Sequence, residues 1–212
     1  MNRHILVVLP HPDDEAFGLA GTLAKHIDHG VPVTYICLTL GEMGRNLGNP
    51  PIANRETLPE IRRQELLESC RIIGIQDVRM FGLHDKTIEF EDHDRLAARI
   101  REVIDEVKPS TIYTFYPGFS VHPDHDATGA VVIKAVQEMP EEERPAVHCL
   151  AFSRGCEEVL GPPQIVHDVS DYMKQKVGAI RAHRSQFLFN MDDEELVKKN
   201  FGTERFWIYR FV

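Results

Sequence analysis

The sequence has little that would place the protein in a membrane or on nucleic acid. No stretch approaches the roughly 20 apolar residues that cross a bilayer. The apolar run near the start covers only residues 5–9, which is too short for a secretory signal. Lysine and arginine number 24 against 33 aspartates and glutamates, so the formal net charge is -9. A nucleic-acid partner is not expected, because phosphate binding needs a cationic face.

Cysteine is also scarce, and its pattern argues against disulfides or a thiolate metal site. The four cysteines form no CxxC pair, and three of them lie within apolar patterns. Reduced thiols of this kind predict a cytoplasmic protein. Hydrophobic residues make up 42% and charged residues 27% of the 212 positions, with no low-complexity segment. We therefore expect one globular domain over residues 1–212.

Short apolar runs alternate with amphipathic segments along the chain. Residues 41–57 interrupt this pattern with five glycines and prolines, which indicates a long functional loop. The alternation predicts an α/β fold, as a single Rossmann-like domain with a mostly parallel central sheet flanked by helices. Such sheets bind ligands at the C-terminal edge of their strands. The predicted strands are 5–9, 33–40, 78–82, 111–116, 147–152, 165–169 and 205–212, and the predicted helices are 15–29, 58–73, 96–107, 125–138, 172–184 and 194–199.

Two similar clusters follow predicted strands. His11-Pro12-Asp13-Asp14-Glu15 comes after the first strand, and His122-Pro123-Asp124-His125-Asp126 comes shortly after strand 111–116. A single acidic residue at a helix start is ordinary capping. Two clusters at one sheet edge are different, because converging imidazoles and carboxylates repel or titrate unless a cation or shared proton holds them. Nitrogen and oxygen donors without thiolate suit zinc or another divalent transition metal.

The clusters favour a metal-dependent hydrolase over two other classes. A metal phosphoesterase would be expected to carry a cationic phosphate cradle, and the arginines here are scattered. A non-catalytic metal- or sugar-binding module would keep its function in an Asp13→Asn variant.

The whole pattern resembles the LmbE-like (PIG-L) zinc deacetylases, which remove acetyl from N-acetylglucosamine-type substrates. The matching segments are the two clusters, Thr39-x-Gly41-Glu42-x-Gly44, Arg62-x-x-Glu65 and His183-x-Ser185-Gln186. The loop 41–51 and the segment 183–186 are most similar to the deacetylases of bacillithiol biosynthesis. Those enzymes act on N-acetylglucosaminyl-malate, and some of their relatives are amidases for bacillithiol S-conjugates.

The resemblance implies a role for each residue of the two clusters. It implies a Zn²⁺ cofactor, and the same ligand types accept Fe²⁺. It also implies an amino-sugar substrate, and several similar proteins form homo-oligomers. The implied metal ligands are His11, Asp14 and His125; the implied catalytic residues are Asp13 as general base and His122 as general acid or oxyanion partner, with Asp124 orienting His122.

Four further residues are predicted to contact the substrate: Arg62, Arg45, Asn46 and His183. Each has a simpler interpretation from the sequence alone. Arg62 can pair with Glu65 on the same helix face, and His183 can stabilise the end of its helix. Arg45 and Asn46 can serve the structure of their loop.

Overall fold

The computed structural model describes residues 3–187 and 194–211, which form an α/β unit around a seven-stranded sheet. The strand order is β3-β2-β1-β4-β5-β7-β6. The strands are β1 (Ile5–Leu9), β2 (Val33–Cys37), β3 (Asp77–Met80), β4 (Thr111–Phe115), β5 (Ala146–Leu150), β6 (Ile165–Asp168) and β7 (Thr203–Ile208).

Helices follow most of the strands. Helix α3 ends where Gly74 adopts a left-handed conformation with φ 101°, which glycine accepts without strain. Short 3₁₀ turns lie at Ile88–Phe90, Glu141–Glu143 and Ser170–Tyr172. The helices are α1 (Asp14–Gly18), α2 (Ala20–Asp28), α3 (Leu58–Ile73), α4 (His93–Val107), α5 (Pro123–Gln137), α6 (Cys156–Leu160), α7 (Met173–Ala182) and α8 (Glu194–Phe201).

The sheet is mostly parallel, as the alternation of apolar runs and helical patterns predicts. Strands β3, β2, β1, β4 and β5 pair in parallel, and β7 pairs antiparallel with both β5 and β6. The chain adds β2 and β3 on one side of β1 and then adds β4 and β5 on the other side. The order of the strands therefore switches between β1 and β4. A crevice at such a switch point is where sheets of this kind bind ligands.

Both faces of the sheet are covered, which explains the continuous apolar runs of its inner strands. Side chains of β1 alternate between a core shared with α1, α2, α3 and α7 and a second core shared with α4 and α5. None of the helices in the part of the chain that the structure describes has the length and apolar character of a bilayer-spanning segment.

The predicted helix 15–29 is two helices. Leu19, with φ -137°, ends α1 and precedes α2. The buried carboxylate of Glu204, on β7, accepts hydrogen bonds from the backbone N of Gly21 at 3.1 Å and of Thr22 at 2.7 Å. Glu204 also pairs with the buried ammonium of Lys176. The break is therefore stabilised by a residue distant in sequence, which a local pattern does not reveal.

Other elements differ at their boundaries. The predicted strands at 33–40 and 205–212 are shorter or shifted, as β2 and β7. The predicted helix 172–184 begins with a 3₁₀ turn at Ser170–Tyr172 before α7. Helix α6 was not predicted, because its five residues are too few for a helical period.

Helix α5 approaches β4 closely at Gly129. A Cβ at this position would lie 2.2 Å from the carbonyl oxygen of Phe115. We expect Gly129→Ala to destabilise the protein by about 1–3 kcal/mol, because the backbone must move to relieve the overlap. Denaturant unfolding of the variant measures this.

Gly178→Ala is the matched control within a helix. Its Cβ would meet the Cγ2 methyl of Ile72 at 3.0 Å and no backbone atom, so a small shift of one side chain relieves the contact. We expect Gly178→Ala to change the free energy of unfolding by less than about 1 kcal/mol. Equal destabilisation by the two substitutions would show that close helix–strand approach is not the cause.

Candidate active site

A cavity of about 340 Å³ opens at the C-terminal edge of the sheet, where β1, β3 and β4 end. Parallel pairing brings the ends of these strands to one edge, so both predicted clusters meet there. The cavity is lined by His11, Asp13, Asp14, Met43, Gly44, Arg45, Arg62, Asp85, Lys86, His122 and His125.

Donor atoms of three residues converge in this cavity. His11 Nδ1 lies 3.2 Å from His125 Nε2 and 3.6 Å from Asp14 Oδ2, and His125 Nε2 lies 3.2 Å from Asp14 Oδ1. A tetrahedral zinc with bonds of about 2.0–2.1 Å has ligand atoms about 3.3–3.4 Å apart. The spacing of the three donors therefore fits a tetrahedral divalent ion.

The remaining nitrogen of each histidine fixes which atom is free to bind a metal. His125 Nδ1 donates to the carbonyl of Ser120 at 3.1 Å, and its ring stacks on Phe115 with centroids 4.0 Å apart. His11 Nε2 donates to Asp124 Oδ2 at 3.0 Å. The lone pairs of His11 Nδ1 and His125 Nε2 then face each other beside the Asp14 carboxylate. A shared proton or a cation between them relieves this arrangement, and the nitrogen and oxygen donors present fit the implied metal.

The carboxylate of Asp124 has a different partner from the predicted one. Asp124 is fully buried, and Oδ2 accepts from His11 Nε2 and, at 2.7 Å, from the backbone N of Lys86. Oδ1 accepts from the backbone N of Ile88 at 3.2 Å. The prediction that this carboxylate orients His122 is wrong, because its two oxygens accept from His11 and from the backbone of the segment after β3. Asp124 instead orients His11.

His122 caps the start of α5 and faces the cavity. Its Nδ1 accepts from the backbone N of Asp124 at 3.1 Å, and its ring packs edge-on against His11 at 4.9 Å. Burial lowers the pKa of His122, and the neighbouring charges of His11 and His125 lower it further. One nitrogen from each of these three histidines lies within 4.8 Å of the others. His122 is thus near enough to act on a substrate or to join the ligand set.

Asp13 is held beside the donor atoms in an unusual backbone conformation. Its φ of 112° lies in the left-handed region, which non-glycine residues rarely adopt. Its Oδ2 accepts from Arg62 Nη2 at 2.7 Å. Burial raises the pKa of Asp13 to about 6, although the Arg62 guanidinium opposes the shift. A carboxylate with a raised pKa is suited to take a proton near neutral pH.

Arg62 is an interior residue of α3 with 3% of its surface exposed. Besides Asp13, its guanidinium donates to the carbonyl of Gly41 at 2.8 Å and to that of Pro12. Its partner is therefore not Glu65, as helical spacing would suggest. The guanidinium is committed to protein acceptors that position Asp13, and a substrate contact for Arg62 stays a prediction.

The other three predicted substrate contacts differ in whether they line the cavity. Arg45 lines the cavity. Asn46 does not; its Nδ2 donates to the carbonyl of Gln186 at 2.7 Å and ties the loop to that segment. His183 has no exposed surface and donates from Nε2 to Glu15 Oε1 at 2.7 Å. A direct substrate contact for His183 is wrong, because the fold buries it behind the cavity.

Sequence reasoning missed Asp85 and Lys86, which follow β3 at the same edge. Asp85 Oδ2 accepts from the backbone N of Met43 at 2.9 Å, and Oδ1 lies 3.2 Å from His11 Nε2. Burial would raise the pKa of Asp85, but the hydrogen bond from His11 holds it at about 2. Ligands bind at the C-terminal ends of parallel strands, and this rule located the two clusters. Applied to the end of β3, the same rule could have found Asp85 and Lys86.

Comparison with known proteins agrees with the geometry. The sequence model of the PIG-L family, described as GlcNAc-PI de-N-acetylase, matches residues 6–136. The chain belongs to the PIG-L family. Every residue that lines the cavity lies inside this PIG-L segment.

Three individual similarities cover nearly the whole chain. "Probable N-acetyl-alpha-D-glucosaminyl L-malate deacetylase 2" of Bacillus subtilis (strain 168) is 50% identical, covering 100% of this chain and 99% of the relative. The protein of the same name from Bacillus cereus (strain ATCC 14579) is 49% identical over the full length of both chains. The N,N'-diacetylchitobiose deacetylase of Pyrococcus horikoshii has a similar fold, with a TM-score of 0.77 at 24% identity, covering 98% of this chain and 84% of that one.

Proposed function

We propose that the protein is a metal-dependent N-deacetylase that hydrolyses the acetamide of an N-acetylglucosaminide, specifically N-acetylglucosaminyl-malate. The convergence of His11 Nδ1, His125 Nε2 and the Asp14 carboxylate beside a buried Asp13 carries this proposal. The names of the two Bacillus relatives support the choice of substrate.

His11, Asp14 and His125 would hold the ion, Zn²⁺ or, with the same donors, Fe²⁺. When bound, a divalent ion at this place acidifies a water and polarises the acetamide carbonyl. Asp124 and the Ser120 carbonyl orient the two imidazoles from behind, which keeps their free nitrogens aimed at one point.

Asp13 takes the proton of the attacking water, while Arg62 keeps the carboxylate beside the donor atoms. His122 supplies the hydrogen bond to the developing oxyanion. Because its Nδ1 accepts from the backbone of Asp124, the neutral ring carries its hydrogen on Nε2. The lowered pKa of His122 keeps its ring neutral, and the Asp13 carboxyl, whose pKa burial raises to about 6, returns the proton taken from water to the leaving amine.

Arg45 and Lys86 are suited to bind a substrate whose aglycone is anionic. Malate carries two carboxylates, and the chain as a whole has a net charge of -9. Both cationic side chains line the cavity, and within residues 3–187 and 194–211 neither has a hydrogen-bonded or ion-paired partner. We propose that they bind the malate carboxylates.

We expect Lys86→Met and Arg45→Met each to raise KM for N-acetylglucosaminyl-malate by roughly 10-fold or more, because a charge-assisted hydrogen bond contributes about 1.5–3 kcal/mol. The kcat should stay within about two-fold, since neither residue touches the acetamide. Steady-state kinetics on this substrate and on the methyl glycoside of N-acetylglucosamine measure the difference, and only the malate compound should be affected.

Lys108→Met is a matched control for Lys86→Met. Both lysines are exposed and both have a positive φ, 67° for Lys86 and 47° for Lys108. Lys108 follows α4, away from the cavity, and its replacement should leave both substrates unaffected. Equal loss on the two substrates in Lys86→Met would contradict recognition of malate by this residue.

A substrate panel with the purified, metal-analysed protein tests the function itself. The panel includes N-acetylglucosaminyl-malate, a bacillithiol S-conjugate, another N-acetylglucosaminide and a phosphate monoester. Release of acetate and a free amine from the first compound supports the proposal. Preference for the S-conjugate would make the protein an amidase of the same chemistry, and inactivity on every amide would overturn the hydrolase assignment.

Compartment and assembly are also proposals. The four cysteines are free and buried, which supports a reducing compartment such as the cytoplasm. A homo-oligomer, implied by resemblance, is checked by sedimentation velocity of the full chain.

A further inference from the structure

The carboxylate of Glu15 lies directly behind Asp13 and has no exposed surface. Its Oε1 accepts from His183 Nε2 at 2.7 Å and from Ser69 Oγ at 2.5 Å. Its Oε2 accepts from the backbone N of Asp13 at 3.0 Å, with the Tyr35 hydroxyl at 3.5 Å. One buried carboxylate therefore connects β2, α3 and the segment after α7 to the backbone of Asp13.

Asp13 needs such a connection because its conformation is strained. A non-glycine residue in a sparsely populated backbone region costs about 1–3 kcal/mol and persists only when its surroundings hold it. Asp13 precedes the first turn of α1, so its N–H has no partner within the helix. Glu15 accepts from that N–H, while Arg62 holds the side chain.

His183 and Ser69 are the two donors to Oε1 of Glu15. A fully buried carboxylate is unfavourable unless hydrogen bonds compensate it. The segment that carries His183 is also anchored apart from Glu15. Ser185 donates from its backbone N and from Oγ to the two oxygens of Glu65, both at 2.7 Å.

We infer that Glu15 and His183 form a buried brace that fixes the backbone of Asp13 in the conformation from which its carboxylate acts as general base. Both are positioning residues, since neither lines the cavity. The inference rests on the proposed function for the role of Asp13 as base.

The test replaces His183 by Leu in the full-length, metal-loaded protein. We expect kcat to fall at least ten-fold while KM stays within about two-fold and metal stoichiometry is unchanged. The visible spectrum of the Co²⁺-substituted protein should also be unchanged, because the brace acts on Asp13 and not on the ligands. His183→Gln places an amide N–H near the position of Nε2 and should recover most of the lost kcat.

A second measurement does not depend on turnover. Hydrogen exchange at the Asp13 amide should accelerate at least ten-fold in His183→Leu, because the bond to Glu15 is weakened. A failure of the proposed substrate would leave this result intact, so the two hypotheses are distinguishable. Unchanged exchange would overturn the brace whatever the substrate.

Ser185→Ala is the matched control in the same buried segment. It removes the bond from Oγ to Glu65 and the one that Oγ accepts from Gln186 Nε2. The backbone bond to Glu65 and the contacts of Glu15 remain, so kcat should stay within two-fold. Equal loss in Ser185→Ala, or a loss in His183→Leu that follows loss of metal, would overturn the inference. If His183→Leu does not fold, Ser69→Ala removes another donor to the same oxygen and should lower kcat in the same direction; an unchanged kcat there would also overturn it.

Discussion

Asp13→Asn is expected to lower kcat by about 10²–10⁴-fold, the range contributed by a positioned general base. The amide oxygen can still accept from Arg62, so the side chain should keep its place, but an amide cannot take a proton from water. Metal content and the midpoint of unfolding should match those of the unmodified protein. Steady-state kinetics with metal analysis and thermal unfolding measure all three.

Asp126→Asn is the matched control, because Asp126 belongs to the second cluster but does not line the cavity. Its carboxylate accepts from the backbone N of Gly118 at 2.8 Å and of Ser120 at 3.2 Å, and an amide oxygen can replace it there. We expect a kcat within about three-fold of the unmodified protein. Undiminished turnover in Asp13→Asn would refute the base and favour a non-catalytic binding protein.

The central fold could be predicted because its signals are local. Residues 5–9 form a continuous apolar run and residues 58–73 have apolar residues at helical spacing. The structure has β1 and α3 with these bounds. The break at Leu19 could not be predicted in the same way. It depends on Glu204 of β7, which caps α2 across the fold.

Part of the candidate site could also be predicted from local sequence, and part could not. Strand ends of a parallel sheet meet at one edge, so the two His-Pro-Asp clusters could be brought together from sequence alone. Buried polar contacts carry no local signal. Glu15 and His183 are 168 residues apart in the chain and Arg62 and Asp13 are 49 apart. In sequence each resembles an ordinary surface or capping residue.

His125→Ala is expected to weaken metal binding by more than about 100-fold, because loss of an outer partner of a ligand alone costs about 10–100-fold. His125 Nε2 lies 3.2 Å from both His11 Nδ1 and Asp14 Oδ1, so its removal opens one corner of the donor set. Turnover should be lost with the metal. Competition against a chromophoric chelator measures the affinity, and restoration of activity by excess metal checks the cause.

His122→Ala separates two of the ligand sets that the geometry allows. With His11, Asp14 and His125 as ligands, this variant keeps its metal and loses kcat, because only the oxyanion partner is removed. With the three histidines as ligands, His122→Ala releases the metal and Asp14→Asn retains it. We expect the first outcome, because Asp14 supplies a negative charge that His122 lacks, and a divalent ion on a buried site is more stable when a carboxylate compensates part of its charge.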